Sequence, residues 1–367
     1  MGVSMTDMAQ EGFKITAQTQ GMADGKMYLI SDAADTLAIA DMENGAFVLT
    51  GKVDVGQVAC IMTADRKGVI PVMLENAEFN VTANAQMVYV EGGAMQSLYN
   101  DFQSINASLL QERKRLEKEM QAAMQEQNQM KAQALNQQYE QFMKRAQEAE
   151  MNLLKANNNT FVAAYVITQS MQQVSPEFLK ERYNLLGDEA KASASGMAIA
   201  DMIARYEMLE PGHVAPNFIT QTVEGDTISL HGIKGKVKIL DFWASWCAPC
   251  RQETPNLVKL YKNYRGKGLE IFSVSLDKQP HDWAKAISED GMIWKHGIDP
   301  NSQIAGLYCL KSIPCMILLD ENNRIIAKNL RGAQLQKKVA ELLKKNSKPE
   351  LAKEVEDLIK QYAATPH

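Results

Sequence analysis

Two cysteines separated by two residues, in the run Trp246-Cys247-Ala248-Pro249-Cys250, are the side chains of this sequence best placed to do chemistry. A thiol attacks a disulfide only as the thiolate, so the first cysteine of such a pair must be exposed and its charge stabilised. A helix N-terminus that follows a strand supplies the stabilisation. Cys247 occupies that place, after the apolar run Lys236 to Phe242 and ahead of a helical stretch. Cys250 lies one helical turn inward, where it can attack a mixed disulfide at Cys247 and release the partner in reduced form. The implied chemistry is thiol–disulfide exchange, with both electrons carried by the two sulfurs and no metal or small-molecule cofactor called for. The rival reading of C-x-x-C is half of a zinc site, which needs a second short pair of Cys or His. Cys60, Cys309 and Cys315 form no such pair.

The surrounding elements suit this task. After Pro211-Gly212, apolar strand-like runs alternate with helical stretches: Lys236 to Phe242, a helix after Cys247, Leu269 to Leu276, helices near Trp283 and Leu307, Ile313 to Leu319, a strand near Ile325 and a helix from Gln334. Such alternation builds a mostly parallel, buried sheet ending in a hairpin and flanked by helices.

The run Ile239-Leu240-Asp241-Phe242-Trp243-Ala244-Ser245-Trp246-Cys247-Ala248-Pro249-Cys250-Arg251 resembles the active-site signature of the TlpA/ResA-like branch of the thioredoxin superfamily. Ala215-Pro216-Asn217-Phe218 and Ile228-Ser229-Leu230 through Lys234-Gly235-Lys236 resemble its lead-in strands, and Glu253-Thr254-Pro255 its helix-kinking proline segment. The resemblance covers roughly residues 212 to 346. It implies a protein-disulfide reductase or interchange oxidoreductase acting on disulfide-containing clients and reduced by a membrane electron donor. Asp241 matches the family's buried carboxylate, which with a raised pKa takes the proton from Cys250; a solvated strand-end aspartate is the plainer reading. Trp246 matches the aromatic that shields one flank of the thiolate, against core packing as the alternative; Ala248 and Pro249 tune the pair from between the cysteines, and all three are expected to contact the client. Pro314, in Ser312-Ile313-Pro314-Cys315, matches the family's cis-proline, implying that the Ile313 backbone pairs with a client chain. Cys315 departs from the Thr found in many relatives. With Cys309 it could form a bond or an auxiliary redox pair, but two small buried residues is the favoured reading.

Upstream, the short runs Phe13 to Thr16, Lys26 to Ile30, Ala46 to Leu49 and Glu78 to Val81, separated by Gly, Asn and Asp, read as a small antiparallel β domain, with Asn44-Gly45 as a tight turn. With Val72-Met73-Leu74-Glu75-Asn76 before a further strand, it resembles the domain of unassigned role ahead of the thioredoxin part in TlpA-like proteins of Gram-negative anaerobes. That resemblance implies an exported protein, periplasmic or outer-membrane-associated, with a lipid anchor in its precursor. Cys60 in this domain reads as buried and inert.

From about Gln96 to Ala156 the chain is rich in Gln, Glu, Lys, Ala and Met without Pro or Gly, as a long helix or helical hairpin requires. Leu116, Met120, Ala123, Met130 and Ala134 keep a 4-3 spacing with Gln127 in the gap, and Leu135, Tyr139, Phe142, Ala146, Ala149 and Leu153 restart it one residue later. A homodimer through this arm is one reading. Packing on its own chain is the other, favoured because Ala and Gln make weak coiled-coil cores. Further helices are expected at 160–173, 176–192 and 196–209.

The expected fold class is thus α+β multidomain: a disordered segment at 1–10, the β-rich domain at 11–95, a helical region with a long amphipathic helix at 96–210, an α/β thioredoxin-like fold at 211–346 and a C-terminal helix at 347–367. Across 367 residues, a net charge of -5 lacks the basic excess that nucleic acid demands, and no apolar run reaches membrane-spanning length. Besides the reductase, a client-binding scaffold, a disulfide isomerase and a peroxidase come into question. The peroxidase ranks last, since Ala244 stands where the related peroxiredoxin branch has Thr.

Overall fold

In the computed structural model, residues 11–66 and 68–344 are described. The expected disordered segment at 1–10 and C-terminal helix at 347–367 lie outside the described residues. The chain divides into two compact units, Met1–Met202 and Ile203–His367.

The first unit opens with eight strands: β1 (Phe13–Thr19), β2 (Gly25–Ser31), β3 (Thr36–Met42), β4 (Ala46–Gly51), β5 (Gln57–Thr63), β6 (Ile70–Leu74), β7 (Glu78–Ala83) and β8 (Val88–Glu91). They form two four-stranded sheets, ordered β4-β1-β7-β8 and β3-β2-β5-β6. In β1, buried Phe13, Ile15 and Ala17 alternate with exposed residues, the period-2 pattern of a half-buried strand. Their side chains share one core with Met27, Leu29, Ile61 and Val72 of the other sheet. Pairing is antiparallel as expected except between β1 and β7, which run parallel from Lys14↔Glu78 to Thr19↔Ala83. The long connection through the second sheet permits this, since parallel neighbours need a crossover. Asn44 and Gly45 both have positive φ, at 51° and 76°, and Ala46 N–H donates to Glu43 O at 3.0 Å. A Cβ on Gly45 would stand 2.2 Å from Thr19 O, so glycine is required there.

Two long helices follow, α1 (Ala94–Gln125) and α2 (Gln129–Ala156). The start of α1 is tied to the sheets: Met73 N–H donates to Gln96 Oε1 and Met95 N–H to Glu75 Oε1, each at 2.9 Å. The chain reverses at Gln127, with φ 52°, and Asn128 caps α2 by accepting Lys131 N–H. Buried Leu116, Ala123 and Leu135, with Met120 and Ala132, seal the hairpin, so this stretch of the seam is spent within the chain. The reversal falls at Gln127, the gap in the first apolar series, whereas the one-residue shift between Ala134 and Leu135 lies inside α2.

Four shorter helices complete the region: α3 (Phe161–Thr168), α4 (Pro176–Leu185), α5 (Asp188–Ala192) and α6 (Ala194–Met208), which carries the unit boundary. Ser175 caps α4, accepting Phe178 N–H, with Pro176 in the first turn. The helix expected over 176–192 is split at Gly187, whose N–H donates to Asn158 O instead of continuing the helical ladder.

The second unit holds β9 (Ile219–Gln221), β10 (Thr227–Ser229), β11 (Val237–Trp243), α7 (Ala248–Tyr264), β12 (Leu269–Ser275), α8 (Pro280–Glu289), β13 (Lys295–Ile298), α9 (Gln303–Leu307), β14 (Cys315–Asp320), β15 (Ile325–Lys328) and α10 (332–344). The sheet order is β10-β9-β13-β12-β11-β14-β15. β11 pairs parallel with β12, and β12 with β13, but the pairings on either side of these three strands are antiparallel. The sheet is therefore mixed and not mostly parallel as expected, because the β9–β10 hairpin adds to one edge as the β14–β15 hairpin does to the other. All seven residues of β11 are buried. A strand covered on both faces reads as a mainly apolar run, here broken by the buried Lys238 and Asp241, which is why this one stood out. Val237, Ile239 and Trp243 pack on one side with Leu257 and Leu260 of α7, while Leu240 and Phe242 pack on the other with Phe218 and Tyr308.

Candidate active site

The turn after β11 delivers Cys247 to the N-cap of α7. Its Sγ forms a disulfide with Cys250, S–S 2.04 Å, and accepts the Cys250 N–H at 3.3 Å. The first-turn N–H groups and the helix dipole both favour negative charge at this sulfur, so the reduced Cys247 is the member set up to be a thiolate. Its burial departs from expectation. Cys247 is 5% exposed and Cys250 4%, because both pack in the cluster with Trp243, Ala244 and Ile313. The exposed rim is made by Trp246, 67% accessible, with Ala248 and Pro249. Trp246 is therefore no core residue. A partner must come close against this rim to reach the Cys247 sulfur.

The Ile313–Pro314 peptide bond is cis. Pro314 is buried, its carbonyl accepts from Arg331 Nη2 at 2.6 Å, and Ile313 packs against the cluster that holds the cysteines. Pro255 lies inside α7, and Glu253 accepts the Gly332 N–H at 2.7 Å, tying α7 to the first turn of α10.

Asp241 is 4% exposed. By strand alternation it shares a face of β11 with Ile239 and Trp243, the face against which Cys250 packs. Burial raises its pKa to about 7, opposed by a hydrogen bond from Ser273 and reinforced by the negative charge of Glu253. Ser273 Oγ donates to Asp241 Oδ2 at 2.8 Å and in turn accepts the Trp294 indole N–H at 2.9 Å. The solvated reading of Asp241 is thereby excluded: water reaches little of it and its partners are interior.

Sequence reasoning missed Asp277. This carboxylate, 3% exposed, accepts Ser245 N–H at 2.8 Å, Ser245 Oγ–H at 2.6 Å and Ser275 Oγ–H at 2.5 Å. It clamps the turn that presents Trp246 and Cys247. Arg251 holds the same turn from the other side, donating to Ser245 O while ion-paired with Asp290 and Glu289. The available signal was Ser273, Ser275 and Asp277 in and just after an otherwise apolar run: polar residues in a strand buried on both faces must have interior partners. Replacing Asp277 by Ala leaves buried donors unsatisfied, and urea unfolding is expected to show a loss of about 2–4 kcal/mol, partly recovered by Asp277→Asn. A loss below about 0.5 kcal/mol would remove Asp277 from this role.

The remaining cysteines form no disulfide among the described residues. Cys315 and Cys309 are half-buried. Burial and the nearby Asp241 push the Cys315 thiol up to about 11, which keeps it protonated. Cys60, half-buried rather than buried, is also pushed up, by burial and then by Asp32. Among the described residues no group of three or more His, Cys, Asp or Glu is arranged to hold a metal ion, and no helix is long and apolar enough to cross a membrane.

Comparison with known proteins gives two family matches: the AhpC/TSA family over residues 211–328, and a domain of unknown function (DUF4369) over residues 13–99. The thiol-disulfide oxidoreductase ResA of Bacillus thuringiensis (strain Al Hakam) is 32% identical over 142 residues, covering 39% of this chain and 82% of that protein. The protein of the same name from Bacillus subtilis (strain 168) is 28% identical over 128 residues, covering 34% and 70%. Among solved structures, the thioredoxin domain of a thiol-disulfide oxidoreductase from Bacteroides vulgatus is 36% identical, covering 36% of this chain and 98% of that one, with a TM-score of 0.35.

Proposed function

Since the chain belongs to the family of ResA-like thiol-disulfide oxidoreductases, we propose that Cys247 and Cys250 are its redox centre and that it reduces disulfides of extracytoplasmic client proteins. The observation that carries this reading is the Cys247–Cys250 disulfide at the N-terminus of α7, above the strand face that holds a buried carboxylate.

In the reduced protein the Cys247 thiolate attacks one sulfur of the client disulfide. The client S–S bond breaks, the first client sulfur leaves as a thiolate, and a mixed disulfide joins Cys247 to the second. Asp241 takes the proton from Cys250, whose thiolate attacks the Cys247 sulfur and expels the second client sulfur. Two electrons pass to the client, the Cys247–Cys250 bond closes, and two protons finish on the client thiols, one returned by Asp241 and the other taken from solvent, which received it when Cys247 ionised. Trp246, Ala248 and Pro249 border the client, which lies along Ile313 and Pro314 as an added strand.

The electrons that reopen the Cys247–Cys250 bond come from a membrane donor protein. The chain works on the periplasmic side or at the outer membrane, held by a lipid anchor on its precursor, and needs no bound cofactor. The reduction potential of the pair, measured by equilibrating the purified protein in redox buffers, tests the direction. A value near roughly -270 mV supports a reductase, whereas one near roughly -120 mV makes it an oxidant and overturns the proposal.

A further inference from the structure

We infer that Ser273 and Trp294 are positioning residues that fix how Asp241 holds its proton, and that they close the interior side of Asp241 to proton transfer. The inference rests on the reading of Asp241 as the base for Cys250 and adds how that base is controlled.

Three parallel strands bring the groups together. Asp241 on β11 is in register with Ser273 on β12, and Ser273 with His296 on β13, two residues after Trp294. The indole N–H is a donor only, so at 2.9 Å from Ser273 Oγ it must donate to that oxygen. The single hydroxyl proton of Ser273 is thereby directed to Asp241 Oδ2, 2.8 Å away. The indole cannot turn away: its ring stacks on His296 and meets Tyr261 edge-on, with centroids 5.6 Å apart in both cases.

Two consequences follow. A donor held on the carboxylate favours its charged form and opposes the burial that favours the neutral one. A proton also cannot pass beyond Ser273, because the indole nitrogen has no lone pair to receive it. What Asp241 takes from the cysteine side it gives back on that side. The other ionisable groups around this site are Glu253 on α7, which raises the Asp241 pKa, and the Cys315 thiol on β14, itself influenced by Lys328 and Arg331. Tyr261 on α7 and His296 on β13 flank the indole, and burial holds His296 neutral.

The test is a pH titration of the Asp241 carboxyl carbon by NMR in the full-length oxidised protein labelled at aspartate, with Asp241→Asn assigning the signal. Ser273→Ala is expected to raise the midpoint by about one pH unit, the size of one lost charge-assisted hydrogen bond. Trp294→Phe keeps a ring in the core, frees the Ser273 hydroxyl to rotate and is expected to raise the midpoint by less. Ser273→Thr restores the hydroxyl and is expected to bring the midpoint back. An unmoved midpoint in Ser273→Ala overturns the inference, as does a displaced midpoint that Ser273→Thr fails to restore, since packing would then be the cause. The titration reads the Asp241 proton in the resting protein and does not depend on its role in catalysis. If the rate of mixed-disulfide resolution were indifferent to Asp241→Asn, the assignment of the base would fall while the control of its pKa stood.

Discussion

Replacing Cys247 by Ser is expected to abolish disulfide reduction, lowering turnover of a small disulfide such as oxidised glutathione by roughly a thousandfold or more. A serine hydroxyl at the head of α7 is neither ionised nor a competent attacker of sulfur. Cys250→Ser is expected to behave differently. Cys247 still attacks, but nothing resolves the product, so the protein accumulates as a one-to-one mixed disulfide visible as a mass increase equal to one half of the reagent. The asymmetry comes from the fold: Cys247 is the N-cap with the helix N-terminus behind it, whereas Cys250 is in the first turn, against the core. Equal trapping through Cys250 in the Cys247→Ser protein would reverse the assignment.

Asp241→Asn is expected to slow resolution of the mixed disulfide by about 10²–10⁴-fold near neutral pH, the usual contribution of a positioned base. In the native protein resolution should accelerate through a midpoint near 7, where Asp241 ionises. In the variant that step should vanish, and the rate should follow the Cys250 thiol itself at higher pH. Rapid-mixing kinetics across pH 5–9 separate the two, and a native profile flat through pH 7 would discard Asp241 as the base.

The same shift makes a stability prediction. Unfolding returns Asp241 from about 7 to its ordinary 3.8. Between these values the folded state holds a proton that the unfolded state has lost, so stability is full below about 4 and falls as pH rises through 7. The loss is on the order of 4 kcal/mol by pH 8, from about three pKa units. Urea unfolding of the oxidised protein should show this decline, and Asp241→Asn should remove it. A native stability that rises from pH 4 to pH 8 with no difference in the variant would contradict the burial argument.

Local chemistry was legible in the sequence because it depends on residues close in the chain. The Cys247/Cys250 spacing, the Asn44-Gly45 turn and the Ser175-Pro176 helix start need only neighbours within four positions, and each takes the form its residue types dictate. β11 was legible for a related reason, since burial on both faces leaves a mainly apolar run, interrupted by Lys238 and Asp241. Strands β3, β5, β8 and β13 were not singled out, and of β6 only the Val72-Met73-Leu74 end was. β3 is half exposed and lacks clean alternation, and β6 begins with Ile70 and Pro71, the proline tolerated because β6 is an edge strand of its sheet.

Tertiary structure decided what depends on register and packing between distant segments. The parallel pairing of β1 with β7 joins residues separated by the whole second sheet. The near-complete burial of Cys247 comes from the cluster it shares with Trp243, Ala244 and the distant Ile313, which no motif records. Whether Asp241 was a solvated strand end or an interior carboxylate turned on which side chains β12 and the segment entering β13 placed beside it. Ser273 and Trp294 lie 32 and 53 positions further along the chain than Asp241, and only the pairing of three strands aligns them. Residue types and short spacings determined which reaction the chain is equipped for, because a thiolate, its helix and its resolving partner are local. The proton balance of that reaction belongs to the folded state, because it is set by the low-dielectric interior and by hydrogen bonds that exist only once the sheet has formed.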